Sequence, residues 1–262
     1  MIYIIICTTA IIVSGLTLFS GFGLGTVLMP VFALFFPIEV AVAATAIVHL
    51  VNNVFKAFLL GHHADQRIIV RFALPAAVAS VAGALVLSYF SELSPIIQYT
   101  LGNRVCSITW IKLIVALIIV VFSFIELSSK FNDLSFDTQY IPLGGIVSGF
   151  FGGLSGHRGA LRTAFLIRAG LPKEAFLGTM VLSTIIVDIS RIGVYGLAFF
   201  LSDFEQIKIQ GGFGLVVAGS VSAFAGTYIG ARLVKKVTME AIRKIVGILL
   251  ILLAMAMGTG LI

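Results

Sequence analysis

Four polar side chains stand at helical spacing inside an apolar stretch. His49, Asn52, Asn53 and Lys56, at i, i+3, i+4 and i+7, fall on one face of a helix. Polar and ionisable groups in such surroundings are costly and face a cavity or a partner. Thr184, Val187, Asp188 and Arg191 repeat the spacing later, with three of four positions polar. The competing explanation is that Lys56 and Arg191 lie near segment ends and snorkel to an interface. A second cluster is Gly156-His157-Arg158-Gly159-Ala160-Leu161-Arg162. Arg158 and Arg162 are four apart, so in a helix they share a face close to its N-terminus, where free N–H groups, the positive dipole end and guanidinium forks favour an oxyanion. The alternatives are that either arginine reaches a cytoplasmic surface, or that Arg191 pairs with Asp188 as a structural bridge. Lys56, Arg158, Arg162 and Arg191 are opposed by Asp188 alone, so the interior is cationic and a small anion is the expected substrate.

Backbone amides at Gly23, Gly25, Gly156 and Gly159 complete the expected binding set. Asp188 and His49 are candidates for coupling or for holding the cations. His49 and His157 titrate in a range that suits proton coupling, and equally serve as satisfied hydrogen bonders. His62-His63 beside Asp65 offers too thin a ligand set, so no metal site and no cofactor are expected. Ser155 with His157 is the only candidate nucleophile and base, and two residues apart on a helix they point to different faces. No enzyme is expected. A phosphate loop of the G-x-x-x-x-G-K type is missing, which leaves ion or substrate gradients as the energy source.

The elements that must position these residues follow from composition. Of 262 residues 60% are apolar and 11% charged, with a mean hydropathy of +1.15, against about 25% charged in soluble domains. The chain is a membrane protein with no room for a soluble catalytic domain. Cys7 and Cys106 are too few for a disulfide framework and are taken as packing residues. The net charge of +6 lacks any basic run interleaved with aromatics, so nucleic acid is not expected and the excess orients the chain. The first 19 residues lack a basic n-region and a cleavage site and read as a retained segment.

About eight apolar segments are expected, near residues 2–36, 39–61, 69–90, 108–127, 140–170, 175–200, 211–232 and 241–262. A polar linker, 128–139, divides an N-terminal repeat, 1–127, from a C-terminal repeat, 140–262. Ile12-Val13-Ser14-Gly15 reappears as Ile146-Val147-Ser148-Gly149. Pro37 and Glu39 match Pro172 and Glu174, Ala82-Gly83 matches Ala225-Gly226, and Ile111-Lys112 resembles Arg243-Lys244. Internal duplication marks secondary transporters, whose substrate site lies at the repeat interface. The first segment of each half is too long for one span and is interrupted by glycines, at Ser20 to Gly25 and at Gly152 to Gly159. If all eight segments cross, Lys and Arg divide nine against four between the two sides. If each broken segment returns to its own side, the halves are inverted repeats and the division is ten against three. Inversion is the expectation, with Lys235 and Lys236 cytoplasmic and Leu261-Ile262 outside.

The break Ser20-Gly21-Phe22-Gly23-Leu24-Gly25-Thr26, followed by Met29-Pro30, resembles the sulfite exporter TauE/SafE family of membrane permeases. So does Val42-Ala43-Ala44-Thr45-Ala46-Ile47-Val48-His49-Leu50-Val51-Asn52-Asn53. The resemblance extends over essentially the whole chain. It implies an all-helical permease of two related halves that moves sulfite, a sulfonate or a related organosulfur anion. The family's second break more often reads as a glycine run and a proline, where this chain has Ser155-Gly156-His157-Arg158-Gly159 and Thr163-Ala164. The expectation is therefore an all-α, multi-pass protein of the inner cell membrane that acts as a secondary transporter by alternating access. An anion channel with the same cationic lining is the rival. The expected partners are a small anion, the bilayer and, as an assembly, a homodimer.

Overall fold

A computed structural model describes residues 2–20, 24–102, 104–128, 135–196, 212–233 and 239–262. Ten α-helices lie among them: α1 (Ile2–Ser20), α2 (Leu24–Ala33), α3 (Ile38–Leu60), α4 (Gln66–Ser91), α5 (Trp110–Leu127), α6 (Ile141–Ser155), α7 (Gly159–Leu166), α8 (Lys173–Tyr195), α9 (Gly212–Leu233) and α10 (Met239–Gly258). Each of the eight apolar segments therefore holds helix, and the first of each half is divided in two as expected. Residues 21–23 of the first break, 197–200 of the sixth segment, and Lys130, Lys208, Lys235 and Lys236 lie outside the described residues. Ile38–His63, Gln66–Ser91 and Lys173–Tyr195 are long and apolar enough to cross a bilayer. Five shorter apolar helical stretches, Ile2–Gly15, Leu24–Ala33, Trp110–Ile125, Gly214–Gly230 and Val246–Gly258, accompany them.

The helix boundaries have local causes. Proline precedes both α3 and α8, at Pro37 and Pro172, and an acidic residue, Glu39 or Glu174, sits in each first turn against the positive helix end. Asp65 caps α4 by accepting from the Ile68 amide at 3.0 Å, and Thr109 caps α5 from Lys112 at 3.3 Å. α6 stops at Gly156, whose φ of 79° is open to glycine and strained for other residues.

One element departs from the all-helical expectation. Strands β1 (Ile97–Leu101) and β2 (Arg104–Ile108) pair antiparallel between α4 and α5, with Leu101 opposite Arg104. Gly102, at φ 62°, opens the two-residue turn. Tyr99 ties the hairpin to the end of α10 by donating to the Thr259 carbonyl at 2.5 Å.

Glycine sets the closest helix packing. A side chain on Gly145, Gly149 or Gly153 of α6 would collide with the backbone of Phe72, Ala76 or Ser80 of α4. The two helices therefore touch backbone to backbone over about two turns and run parallel. α1 and α9 do the same, with Gly226 against the Ile11 backbone and Gly230 against Gly15, while Gly214 leaves room for the Tyr3 side chain. In a bilayer, where burial of apolar surface does not drive association, such small-residue contact is what holds helices together. α3 and α8 pack against each other antiparallel, His49 opposite Asp188 and Leu60 opposite Gly178.

Both broken segments turn back. Phe165 of α7 fills the space beside Gly144 near the start of α6, and the Phe136 amide, just ahead of α6, donates to the Ala164 carbonyl at 3.1 Å. Phe136 and Phe165 stack with ring centroids 4.1 Å apart. In the other half Ile6, near the start of α1, and Phe32, near the end of α2, both reach Gly219. Each pair folds back as a helical hairpin, and in the second half the turn is at Gly156.

Candidate functional site

Asp188 is the hub of the buried polar groups. It lies on the α8 face that meets α3 and is completely inaccessible to solvent. Arg158 reaches its Oδ1 through Nη2 at 2.5 Å, and Arg191 reaches the same oxygen through Nε at 2.9 Å and Nη2 at 2.7 Å. His49 Nδ1 sits 2.8 Å from Oδ2. A carboxylate removed from water is tolerated only when such partners satisfy it. Arg191 thus pairs with Asp188, one of the arrangements weighed from sequence, and Arg158 shares the same carboxylate.

Arg191 has a second task. Its Nη1 donates to the Gly152 carbonyl at 2.7 Å, and one turn on the Tyr195 hydroxyl donates to the Gly153 carbonyl. The last carbonyls of a helix that stops inside a protein have no intrahelical donor. Tyr195 supplies the donor that the Gly153 carbonyl lacks, and Arg191 adds a second donor to the Gly152 carbonyl, which also accepts from the Gly156 amide at 3.1 Å, so both stabilise the end of α6. Tyr195 was missed in the sequence, although it extends the spacing of Thr184, Asp188 and Arg191 by one more turn.

Arg162 donates through Nη1 to the Thr184 hydroxyl. Lys56 lies close enough to Arg162 for Coulombic repulsion between them, and Arg162 and Arg158 repel in the same way. Neither Lys56 nor Arg162 has a carboxylate partner among the described residues. Both are buried, at 8% and 7% exposure, as is Arg158 at 6%, so none of the three reaches the surface. Arg162 Nε and Arg158 Nη1 are shielded from solvent and donate to no protein acceptor.

The remaining stripe residues divide between roles. Thr227 of α9 donates to Asn52 Oδ1 at 2.8 Å, and Ser14 of α1 lies 2.5 Å from Thr227. Asn52 therefore joins α3 to the α1–α9 pair, while its Nδ2 is left without an acceptor. Asn53 Nδ2 donates to the His49 carbonyl of its own helix at 2.7 Å.

The start of α2 meets the second break. A Cβ on Gly25 would stand 3.6 Å from the Gly156 carbonyl oxygen and 3.6 Å from Thr45. Leu24, Gly25 and Thr26 form the buried first turn of α2, and Gly159 opens α7 with no side-chain cap at Arg158. Two helix N-termini, each with amides that lack intrahelical acceptors, thus begin beside the same point. His157 lies there too, its Nδ1 3.0 Å from the Ser155 carbonyl. Ser155 Oγ donates to the Phe151 carbonyl at 3.1 Å and makes no bond to the imidazole, so the two are not set as nucleophile and base. Gly23 lies outside the described residues. Of the other twelve residues singled out in the sequence, His49, Arg158, Asp188 and Arg191 gather where α3 and α8 meet, Arg162 lies by Lys56, Gly25 lies by Gly156, and Asn52 turns instead to α9 and α1.

A family model described as Sulfite exporter TauE/SafE matches residues 4–257. No curated protein and no solved structure matches the chain.

Proposed function

The chain belongs to the sulfite exporter TauE/SafE family and is a multi-pass membrane transporter, and from that membership we propose that it carries sulfite or a related small sulfur oxyanion across the inner cell membrane by alternating access. The observation that carries the proposal is the neighbouring pair Lys56 and Arg162, buried with no described carboxylate in contact with either. An uncompensated buried charge is so costly that a protein retains it only where something else neutralises it. An anion held by Lys56 Nζ, Arg162 Nε and Arg158 Nη1, against the first amides of α2 and α7, would complete all of them.

In this arrangement Asp188 and Arg191 hold the cations and the end of α6 in place, and the substrate charge falls mainly to Lys56 and Arg162. The duplication supports alternating access. α1 packs on α9 as α6 packs on α4, so each re-entrant hairpin leans on the third segment of the opposite half. The starts of α1 and α6 then belong on opposite faces, as inverted repeats require. The face bearing Arg67, Arg71, Arg168 and Lys173 is assigned to the cytoplasm by its positive charge.

Reconstitution into proteoliposomes tests the proposal. Uptake of sulfite should saturate, compete with sulfate and sulfonates, and accelerate when the same anion is loaded on the far side. Non-saturating flux without counterflow would instead mean a channel.

A further inference from the structure

His49 can carry a proton as well as hold Asp188. Its Nδ1 faces an acceptor, Asp188 Oδ2 at 2.8 Å. An ionised carboxylate only accepts, so Nδ1 carries the hydrogen and the lone pair of the neutral ring lies on Nε2. The charged groups acting on the ring come from the two elements packed beside it. They are Asp188 and Arg191 of α8 and Arg158 at the start of α7. α2 contributes no titratable side chain, and on α9 the described one is Tyr228, which is exposed. On α3 itself Lys56 lies two turns further along.

We infer that His49 binds a proton at Nε2 when the site takes up its anion, so that anion and proton are bound together. The inference rests on the anion proposal above. Lys56, Arg158, Arg162 and Arg191 against Asp188 leave a fixed charge of +3 among these buried groups when His49 is neutral. A further positive charge is disfavoured there. An anion between Lys56 and Arg162 removes that obstacle, and by reciprocity a protonated His49 raises the affinity for the anion. The step makes one N–H bond and breaks none in the protein, the proton coming from the side to which the site is open. Asp188 keeps its place throughout, since the imidazolium still donates through Nδ1. A dianion moved with one proton still carries one negative charge, so a membrane potential continues to act on transport.

The test counts protons on the full-length protein in detergent. Wild-type protein in weakly buffered solution with a pH indicator is titrated with sodium sulfate and with sodium methanesulfonate, neither of which takes up a proton near neutral pH. The expected result is uptake of about one proton per anion bound, with affinity falling about tenfold per pH unit where His49 is neutral. His49→Asn keeps a donor at the Nδ1 position and should bind the anion with no proton uptake and an affinity independent of pH. Should that variant fail to fold, His49→Gln serves in its place. Wild-type binding without proton uptake, or unchanged uptake in a folded His49 variant, overturns the inference and leaves the anion proposal standing. If wild-type protein binds neither salt nor sulfite, both fall.

Discussion

Replacing Arg162 by glutamine should make the empty protein more stable and the anion bind less well. Like charges repel by about 1.7 kcal/mol at 10 Å, and about 3 kcal/mol at 6 Å, for an effective dielectric of ~20. Arg162 has two such neighbours, Lys56 and Arg158, while the Asp188 carboxylate, bound by Arg158 and Arg191, attracts it from further off and offsets about one of them. Against this stands its bond to the Thr184 hydroxyl, which a glutamine amide can retain in part and whose loss costs about 1 kcal/mol. A net gain of about 1–2 kcal/mol follows, or a rise of several degrees in the melting temperature of a protein of this size. Loss of one charge-assisted bond to the substrate costs about 1.5–3 kcal/mol, which weakens binding roughly 10- to 150-fold. A thermal-shift titration with sulfite measures both on one sample, because a ligand at 100 times its dissociation constant stabilises by about 2.7 kcal/mol. The variant should start higher and respond less. If it starts several degrees lower, Arg162 is a structural partner in a satisfied network. If it responds to anions as the wild type does, the Lys56–Arg162 pair is not the binding locus.

Asp188→Asn should do the reverse. With Arg158 and Arg191 deprived of their shared carboxylate, a loss of about 3–5 kcal/mol is expected, visible as a large drop in melting temperature without anion and a partial recovery at high sulfite. Gly149→Leu places a side chain against the Ala76 backbone and should separate α6 from α4. The expected outcome is loss of monodisperse protein on size exclusion, whereas Arg168→Ala, which removes an exposed ion pair to Asp137, should change stability by less than ~1 kcal/mol. In a variant lacking Cys7 and Cys106, a cysteine at Thr100 in the hairpin should react with an impermeant maleimide from outside intact cells. One at Arg67 should react only after permeabilisation, and the opposite pattern would invert the assigned orientation.

The positions of the breaks were legible because glycine clusters in otherwise apolar runs leave few alternatives, and the stripes because helical spacing puts their residues on one face. How the charges are partnered was not legible. Arg158 and Arg162 differ by one turn of α7, yet one reaches Asp188 and the other Thr184, and that depends on the angle between α7 and α8, which no local pattern encodes. The glycines at 145, 149 and 153 carry their four-residue spacing openly, but only the location of α4 says what they pack against. The β-hairpin had a signal that went unread, Gly102-Asn103 between Tyr99-Thr100-Leu101 and Val105-Cys106-Ser107-Ile108. The strong apolar periodicity of the flanking helices masks so short an element.

The packing of α1 on α9 also bears on how the chain is made. Ser14 donates to the Ala223 carbonyl at 2.5 Å across 209 positions of sequence. During synthesis the glycine face of α1 therefore leaves the ribosome long before its partner exists. At the usual pace of translation, about 5–20 residues per second, it waits on the order of 10 to 40 seconds in the bilayer with that face uncovered. α6, by contrast, meets an α4 that is already inserted. The second hairpin is thus free to dock as it emerges, and the first must be protected or held loosely until the last quarter of the chain arrives. A transporter interlaced in this way gains little from being encoded as two separately folding pieces, which suits the persistence of both halves in one polypeptide.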